Sequence, residues 1–214
     1  MYLNKKILTE KIKKFSLKTK LPIILASGSN IRKSILKSAG LKFKIINPDI
    51  DENRLKKKYK DAPYSIISKK LAQEKALKVS NKYNNYYVIG ADQICVFKNK
   101  IFDKPMNKKN AINQLKVLAG NEHKQISGCS LCLNGKVIYS FTSTAKLKMR
   151  NINIKEIRKY VDYDNPINSC GSYKYESKGY LLFSEVKGNQ FTIQGMPIFN
   201  LFNFLIKRNI ITYE

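Results

Sequence analysis

Hydrophobic and polar positions divide the chain into alternating strand-like and helix-like segments. A short apolar run at residues 22–26 predicts a strand, and the helical periodicity of residues 31–39, closed by Gly40, predicts a helix directly after it. Residues 41–46 alternate apolar side chains with lysines and predict a second strand. These elements together predict a strand, a tight turn, a helix and a return strand.

The rest of the chain mixes helices with hairpins. The predicted elements are a helix at 63–79, a strand at 86–90 that opens onto Ala91-Asp92-Gln93, a hairpin of 94–97 with 101–102, a helix at 107–118, a hairpin of 126–133 with 136–147 around Asn134-Gly135, a helix at 154–161, a strand at 180–186 and a helix at 197–206. This order predicts an α/β protein with a mixed sheet, packed helices and two lobes around a cleft.

The first twenty residues differ from this pattern. Ile7, Leu8, Ile12 and Phe15 form a helical stripe among lysines, so the segment is either a basic amphipathic helix or an appended tail. Core periodicity begins at Leu21, and no Pro/Gly/Ser-rich linker follows. We therefore expect a basic extension at 1–20 and a single domain at 21–210.

The formal charge of +26 raises the alternative of a nucleic-acid-binding protein. Only five of the 41 basic residues are arginine, and the lysines are spread along the whole chain. A solvated lysine surface that attracts small polyanions fits this distribution better, since bidentate phosphate contacts favour arginine.

The sequence predicts neither a membrane-spanning segment nor a redox-active cysteine pair. No apolar run is long enough to cross a bilayer, and no secretory signal is recognisable. Cys129 and Cys132 lie three apart in a predicted strand, which puts them on opposite faces. We expect a cytoplasmic protein with reduced cysteines.

The turn between the first strand and helix has the chemistry of an anion site. Small residues at Ser27-Gly28-Ser29 let a phosphate approach the backbone at a helix N-terminus, and Arg32 can bind phosphate oxygens in a bidentate manner. The alternative for Ser27 and Ser29 is an ordinary helix cap.

Carboxylates and lysines elsewhere complete a candidate site. Asp92 follows the predicted end of an apolar strand, where ligands gather in α/β sheets, and it could bind a metal, position water or simply form a turn. Asp51 and Glu52 could add metal ligands, and Lys75 and Lys104 supply cations for phosphates. The single histidine, His123, is expected to be structural.

These motifs, in this order, resemble the Maf family of nucleoside triphosphate pyrophosphatases. The matching stretches are LASGSNIRKSIL, DIDE, LAQEKA, GADQICVF, DKP and GSYKYESKGYLLFSEVKGNQFTIQGMP. The resemblance implies a Maf/ITPase-like fold, a homodimer, and cleavage between the α and β phosphates with Mg²⁺ or Mn²⁺.

By position, the resemblance implies a role for each matching residue. Asp92 would be the proton acceptor, Glu52 and Asp92 would serve the metal, and the phosphates would be bound by Ser27, Ser29, Arg32, Lys75 and Lys104. Gln93 and Glu176 resemble the branch that acts on 7-methyl-GTP, whereas relatives preferring dTTP or UTP usually have threonine at the position of Gln93. Asn30 departs from the proline that is usual in the family.

Overall fold

A computed structural model describes residues 16–213 as a mixed sheet with helices packed against it. The α/β class predicted from the sequence is confirmed, while the two-lobe arrangement stays a prediction. Most of the predicted basic extension, including Ile7, Leu8, Ile12 and Phe15, lies outside the described residues. Within residues 16–213, no helix combines the length and apolarity needed to cross a membrane.

The elements follow one another in an order close to the predicted one. The strands are β1 (Leu17–Thr19), β2 (Ile23–Ala26), β3 (Lys44–Ile46), β4 (Tyr87–Phe97), β5 (Lys100–Phe102), β6 (Glu122–Leu133), β7 (Lys136–Met149), β8 (Phe183–Lys187) and β9 (Ile211–Tyr213). The helices are α1 (Asn30–Ser38), α2 (Glu52–Lys58), α3 (Tyr64–Ser80), α4 (Lys108–Leu118), α5 (Ile154–Asp164), α6 (Gln190–Ile193) and α7 (Ile198–Lys207), with a 3₁₀ turn at Gly179–Leu182.

The main sheet has the order β3-β2-β4-β6-β7-β8, with β5 paired to β4. The first three strands are parallel, as the predicted βα units require, and the remaining pairs are antiparallel. The β6–β7 hairpin turns at Asn134-Gly135, where both residues have positive φ, as predicted from this dipeptide.

Helix α3 lies directly on strands β4 and β6 because two glycines leave room for its backbone. A Cβ atom added at Gly90 would lie 2.3 Å from the Ala72 carbonyl oxygen, and one at Gly128 would lie 2.3 Å from the Ser68 carbonyl oxygen. This close approach holds Lys75, on α3, over the middle of the sheet.

Side chains on the two faces of the sheet pack into different hydrophobic clusters. Cys129 packs with Leu25, Ile89 and the helix α7 side chain Leu201, whereas Cys132 packs in a separate cluster with Ala76. The prediction that the two cysteines occupy opposite faces is therefore confirmed.

Several predicted elements need correction. Leu17 belongs to a buried cluster and β1 pairs with β9, so the core begins before Leu21 and the end of the extension is a strand rather than a helix. Helices α2 and α6 were missed, and residues 179–182 form a 3₁₀ turn before β8 instead of the start of a strand.

Candidate active site

A cavity of about 1180 Å³ is lined by the residues proposed from the sequence to bind phosphates, metal or base, apart from Asp51. Its wall includes Ser27, Ser29, Arg32, Glu52, Lys75, Asp92, Gln93, Lys104 and Glu176. Asp51 instead caps helix α2, where its side chain accepts a hydrogen bond from the Arg54 backbone N–H at 2.9 Å. The cavity is therefore the candidate active site.

The loop between β2 and α1 is ordered by its own hydroxyls. Ser27 Oγ accepts hydrogen bonds from the Ser29 backbone N–H at 3.2 Å and from the Arg32 guanidinium at 3.3 Å. Ser29 caps helix α1, as the alternative interpretation of the sequence expected. Capping and anion binding are compatible here, since the helix N-terminus still faces the cavity.

Arg32 is fixed from a second side. Its Nε donates a 2.8 Å hydrogen bond to the Gly195 carbonyl, which joins the N-terminal loop to the turn after helix α6. One edge of the guanidinium is thus anchored, and the group stays oriented toward the cavity, where bidentate contact with an anion is favoured.

Lys75 lies at the centre of a buried ion-pair cluster. Its Nζ is 2.6 Å from Asp92 Oδ1 and 2.7 Å from Glu52 Oε1. The side chains of Lys75 and Asp92 are only 7% and 5% exposed, so this pair is almost completely shielded from solvent, whereas Glu52 is 37% exposed. Burial raises the pKa of Glu52, but attraction to Lys75, Lys104 and Lys56 outweighs burial and lowers it overall.

Asp92 lies inside a continuous strand, which corrects the prediction that the strand ends before it. Strand β4 runs through to Phe97 and pairs with β6 along this whole stretch. On its other edge, however, β2 pairs only as far as Gly90, and β5 pairs only from Cys95 onward. The site opens beside residues 91–94 of β4, which are unpaired on this edge, so a ligand still contacts the sheet beyond the carboxyl end of β2.

One oxygen of Asp92 has no partner. Oδ2 is buried and makes no hydrogen bond within the described part of the chain, whereas Oδ1 binds Lys75. A buried carboxylate oxygen without a donor is costly, and a water proton or a cation would satisfy it.

The residues present fit a divalent cation of the magnesium type. Glu52 and Asp92 both contact the same ammonium and are therefore close neighbours. No cluster of three or more His, Cys, Asp or Glu side chains within residues 16–213 is arranged to hold a metal. Mg²⁺ commonly takes one or two carboxylates and completes its shell with phosphate oxygens and water.

The cavity also contains charged residues that the sequence did not single out. Lys56, on α2, forms a 2.5 Å ion pair with Asp103, which precedes Lys104 on the loop after β5. Burial lowers the pKa of Lys56, but its bond to Asp103 outweighs burial and raises it overall. Lys174 adds a further cation to the wall. In a chain with so many lysines, the sequence gives no signal for Lys56 until α2 is known.

The two candidate base-recognition residues both line the cavity. The Gln93 side-chain amide donates to the Ile193 carbonyl, which fixes its orientation, and Glu176 is exposed. Tyr173 and Gln125 also line the cavity, and the Gln125 amide donates to the Tyr173 hydroxyl at 2.7 Å.

His123 contacts Tyr173, a residue of the cavity lining, which fits the structural role expected for it. Its Nε2 is 2.8 Å from the Tyr173 hydroxyl, and its ring packs against Phe183. Burial lowers the pKa of His123 to about 4, which keeps the ring neutral at physiological pH.

Fold and site together define an α/β protein with a highly charged cavity, lined by basic side chains that can bind phosphates and by carboxylates, five of each. Comparison with protein families matches residues 22–208 to the Maf-like protein family. The chain belongs to this family.

Curated relatives are similar in sequence over about nine-tenths of this chain. A nucleoside triphosphate pyrophosphatase of Legionella pneumophila (strain Corby) is 37% identical over 89% of this chain and 95% of its own length. A protein of the same name from Bradyrhizobium diazoefficiens is 38% identical, covering 90% and 96%. One from Ruegeria pomeroyi is 34% identical, covering 89% and 98%.

Proposed function

We propose that this chain is a nucleoside triphosphate pyrophosphatase, which hydrolyses the α–β phosphoanhydride to a nucleoside monophosphate and diphosphate. The observation that carries the proposal is one cavity that joins the Ser27–Arg32 anion loop to the buried cluster of Lys75, Glu52 and Asp92. The names of the relatives support the same reaction.

Asp92 is the proton acceptor in this proposal. Water attacks the α phosphorus, its proton passes to Oδ2 of Asp92, the new P–O bond forms, and the bond to the bridging oxygen breaks. Oδ2 suits this task because it is free of protein donors, while Oδ1 is fixed by Lys75. The electron pair of the broken bond leaves with the diphosphate.

The remaining residues bind the polyphosphate and stabilise its charge. Ser27, Ser29 and the N-terminus of α1 offer hydrogen-bond donors, while Arg32 and Lys104 offer positive charge on the cavity wall. Glu52, with Asp92 beside it, would hold Mg²⁺ or Mn²⁺, which supplies neutralisation of phosphate charge when bound. Phosphoryl transfer needs little beyond this positioning and electrostatic stabilisation.

A modified purine is the proposed substrate, with 7-methyl-GTP as its representative, so that the enzyme would remove altered nucleotides. Gln93 and Glu176 support this choice because both line the cavity and match the branch resemblance. The competing possibility is a preference for dTTP or UTP. A cytoplasmic location and a homodimer belong to the same proposal; the free thiols of all four cysteines fit a reducing compartment.

Pyrophosphate release by an Asp92→Asn variant tests the reaction. With Mg²⁺ or Mn²⁺, wild type should release diphosphate from a triphosphate, and the variant should lose about 10²- to 10⁴-fold in kcat. Asp162→Asn is the matched control, because Asp162 is 67% exposed and pairs with Lys108 at the surface. Undiminished turnover by Asp92→Asn, or release of orthophosphate alone, would overturn the proposal.

A panel of triphosphates tests the base preference separately. We expect kcat/KM to be highest for 7-methyl-GTP among 7-methyl-GTP, GTP, dTTP and UTP, and Gln93→Thr to reduce that preference. If kcat/KM were highest for dTTP or UTP, the proposed reaction would stand, but the proposed preference for 7-methyl-GTP would be refuted.

A further inference from the structure

Helix α2 presents a second charged residue to the cavity besides Glu52. Lys56 follows Glu52 by four positions, and this spacing places both on one face of a helix. Both line the cavity, and Glu52 reaches Lys75 from there. The adjacent Lys57 is exposed and is not among the residues that line the cavity.

Lys56 is unusually shielded for a lysine of this protein. Its side chain is 20% exposed, whereas the lysines of the surface ion pairs, Lys108, Lys146 and Lys187, are 49–65% exposed. Enclosing an ammonium against a cavity wall is unfavourable unless an anion offsets it. In the described chain its anion is Asp103, which is itself 58% exposed.

The ion pair between Lys56 and Asp103 places Lys56 near a second cation, Lys104. Asp103 directly precedes Lys104, and the Gln114 side-chain amide anchors this loop through a 2.9 Å hydrogen bond to the Asp103 carbonyl. Lys56 and Lys104 both act electrostatically on Glu52 and on the Cys170 thiol, so they lie in range of the same part of the cavity. Two ammonium groups held this way form a cationic pair facing the proposed polyphosphate.

We propose that Lys56 is a substrate-binding residue that exchanges Asp103 for an oxygen of the polyphosphate, alongside Lys104. The inference rests on the proposed function and adds a residue of α2 to the substrate contacts. Exchange is favourable because the Lys56–Asp103 pair is partly solvated and therefore weak, and Asp103 remains in contact with water after release. A phosphate carries more charge than one carboxylate and fits an ammonium well.

Three variants in the full chain test this role: Lys56→Gln, the neighbouring control Lys57→Gln, and Asp103→Asn. Loss of a charge-assisted hydrogen bond to substrate should raise KM for the triphosphate about tenfold or more in Lys56→Gln and leave kcat within about twofold. Lys57→Gln should match wild type. Asp103→Asn should leave KM unchanged or lower it, because Lys56 is then free for phosphate.

Calorimetric titration with inorganic tripolyphosphate provides a readout that needs no turnover. The dissociation constant should rise in Lys56→Gln and not in Lys57→Gln. The inference is overturned if Lys56→Gln binds tripolyphosphate like Lys57→Gln, or if Lys56→Gln and Asp103→Asn raise KM alike, as loss of a merely structural bridge would. Wild type that binds tripolyphosphate through Lys56 without releasing diphosphate from any triphosphate would instead refute the proposed function.

Discussion

Replacing Gly90 by alanine should separate helix α3 from the sheet at the point where Lys75 meets Asp92. The new Cβ would lie 2.3 Å from the Ala72 carbonyl oxygen, 2.8 Å from the Ala76 nitrogen and 2.9 Å from the Ala76 Cβ. Two of these atoms belong to the helix backbone and cannot rotate away. Since carbon–oxygen contacts normally begin near 3.3 Å, the helix must move by about 1 Å.

This displacement affects stability and activity differently. Overpacking of this kind typically costs about 1–3 kcal/mol of folding free energy. Lys75 lies between Ala72 and Ala76 and holds Asp92 at 2.6 Å, so the same shift disturbs the proton acceptor. A misplacement of about 1 Å at a catalytic group can lower the rate by about 10²-fold.

Urea unfolding and diphosphate release, measured on the same preparations, test both parts. Gly128→Ala is the matched control: its Cβ would meet Ser68 at 2.3 Å, about two helical turns before Lys75. We expect comparable destabilisation of both variants and a distinctly larger loss of kcat in Gly90→Ala. If Gly90→Ala kept both its stability and its wild-type kcat, the packing argument would be refuted.

Three further outcomes follow from the buried groups. Lys75→Met should lose about 3–5 kcal/mol in urea unfolding, because it leaves buried Asp92 without its countercharge; a loss below about 1 kcal/mol would contradict this. Because burial lowers the pKa of His123 from 6.5 to about 4, protonation favours the unfolded state as the pH falls through this range. Wild type should therefore lose about 2 kcal/mol more than His123→Gln between about pH 7 and pH 4.5, and equal losses would argue against a buried neutral ring. Cys170, which lines the cavity, should be alkylated before the buried Cys95, Cys129 and Cys132. Its reaction should be slow at neutral pH because burial raises the pKa of its thiol to about 11, and rapid labelling of a buried cysteine would contradict the packing.

The sequence predicted those elements whose pattern is local. Helix α3 has a continuous apolar face, and the β6–β7 hairpin turns on Asn134-Gly135, so both were recognisable without tertiary information. Helix α2 buries no side chain and so has no apolar stripe to detect. Strands β1 and β9 are short and pair the two ends of the described chain, which no local pattern encodes.

Candidate site residues were recognisable where residue type and order were distinctive. Arg32 stood out because arginine is scarce in this chain, and Asp92 because it interrupts an apolar run. The same interruption made β4 look like two strands, since a polar pair within a strand resembles a turn when its neighbours are unknown. Lys56 could not be found, because only its position on α2 and its pairing with Asp103 distinguish it from other lysines.

Strand β4 is a rigid part of the site because it is paired without interruption, so conformational change is expected in the elements around it. Asp92 is carried by a strand that β6 pairs over ten consecutive register positions, and the β4 amides that bond to β6 should exchange with solvent only when the whole sheet opens. Helix α2, with no buried side chain, should exchange much sooner. If Asp92 is the proton acceptor as proposed, accommodation of triphosphates of different size falls to α2 and the loops, while Asp92 stays in place.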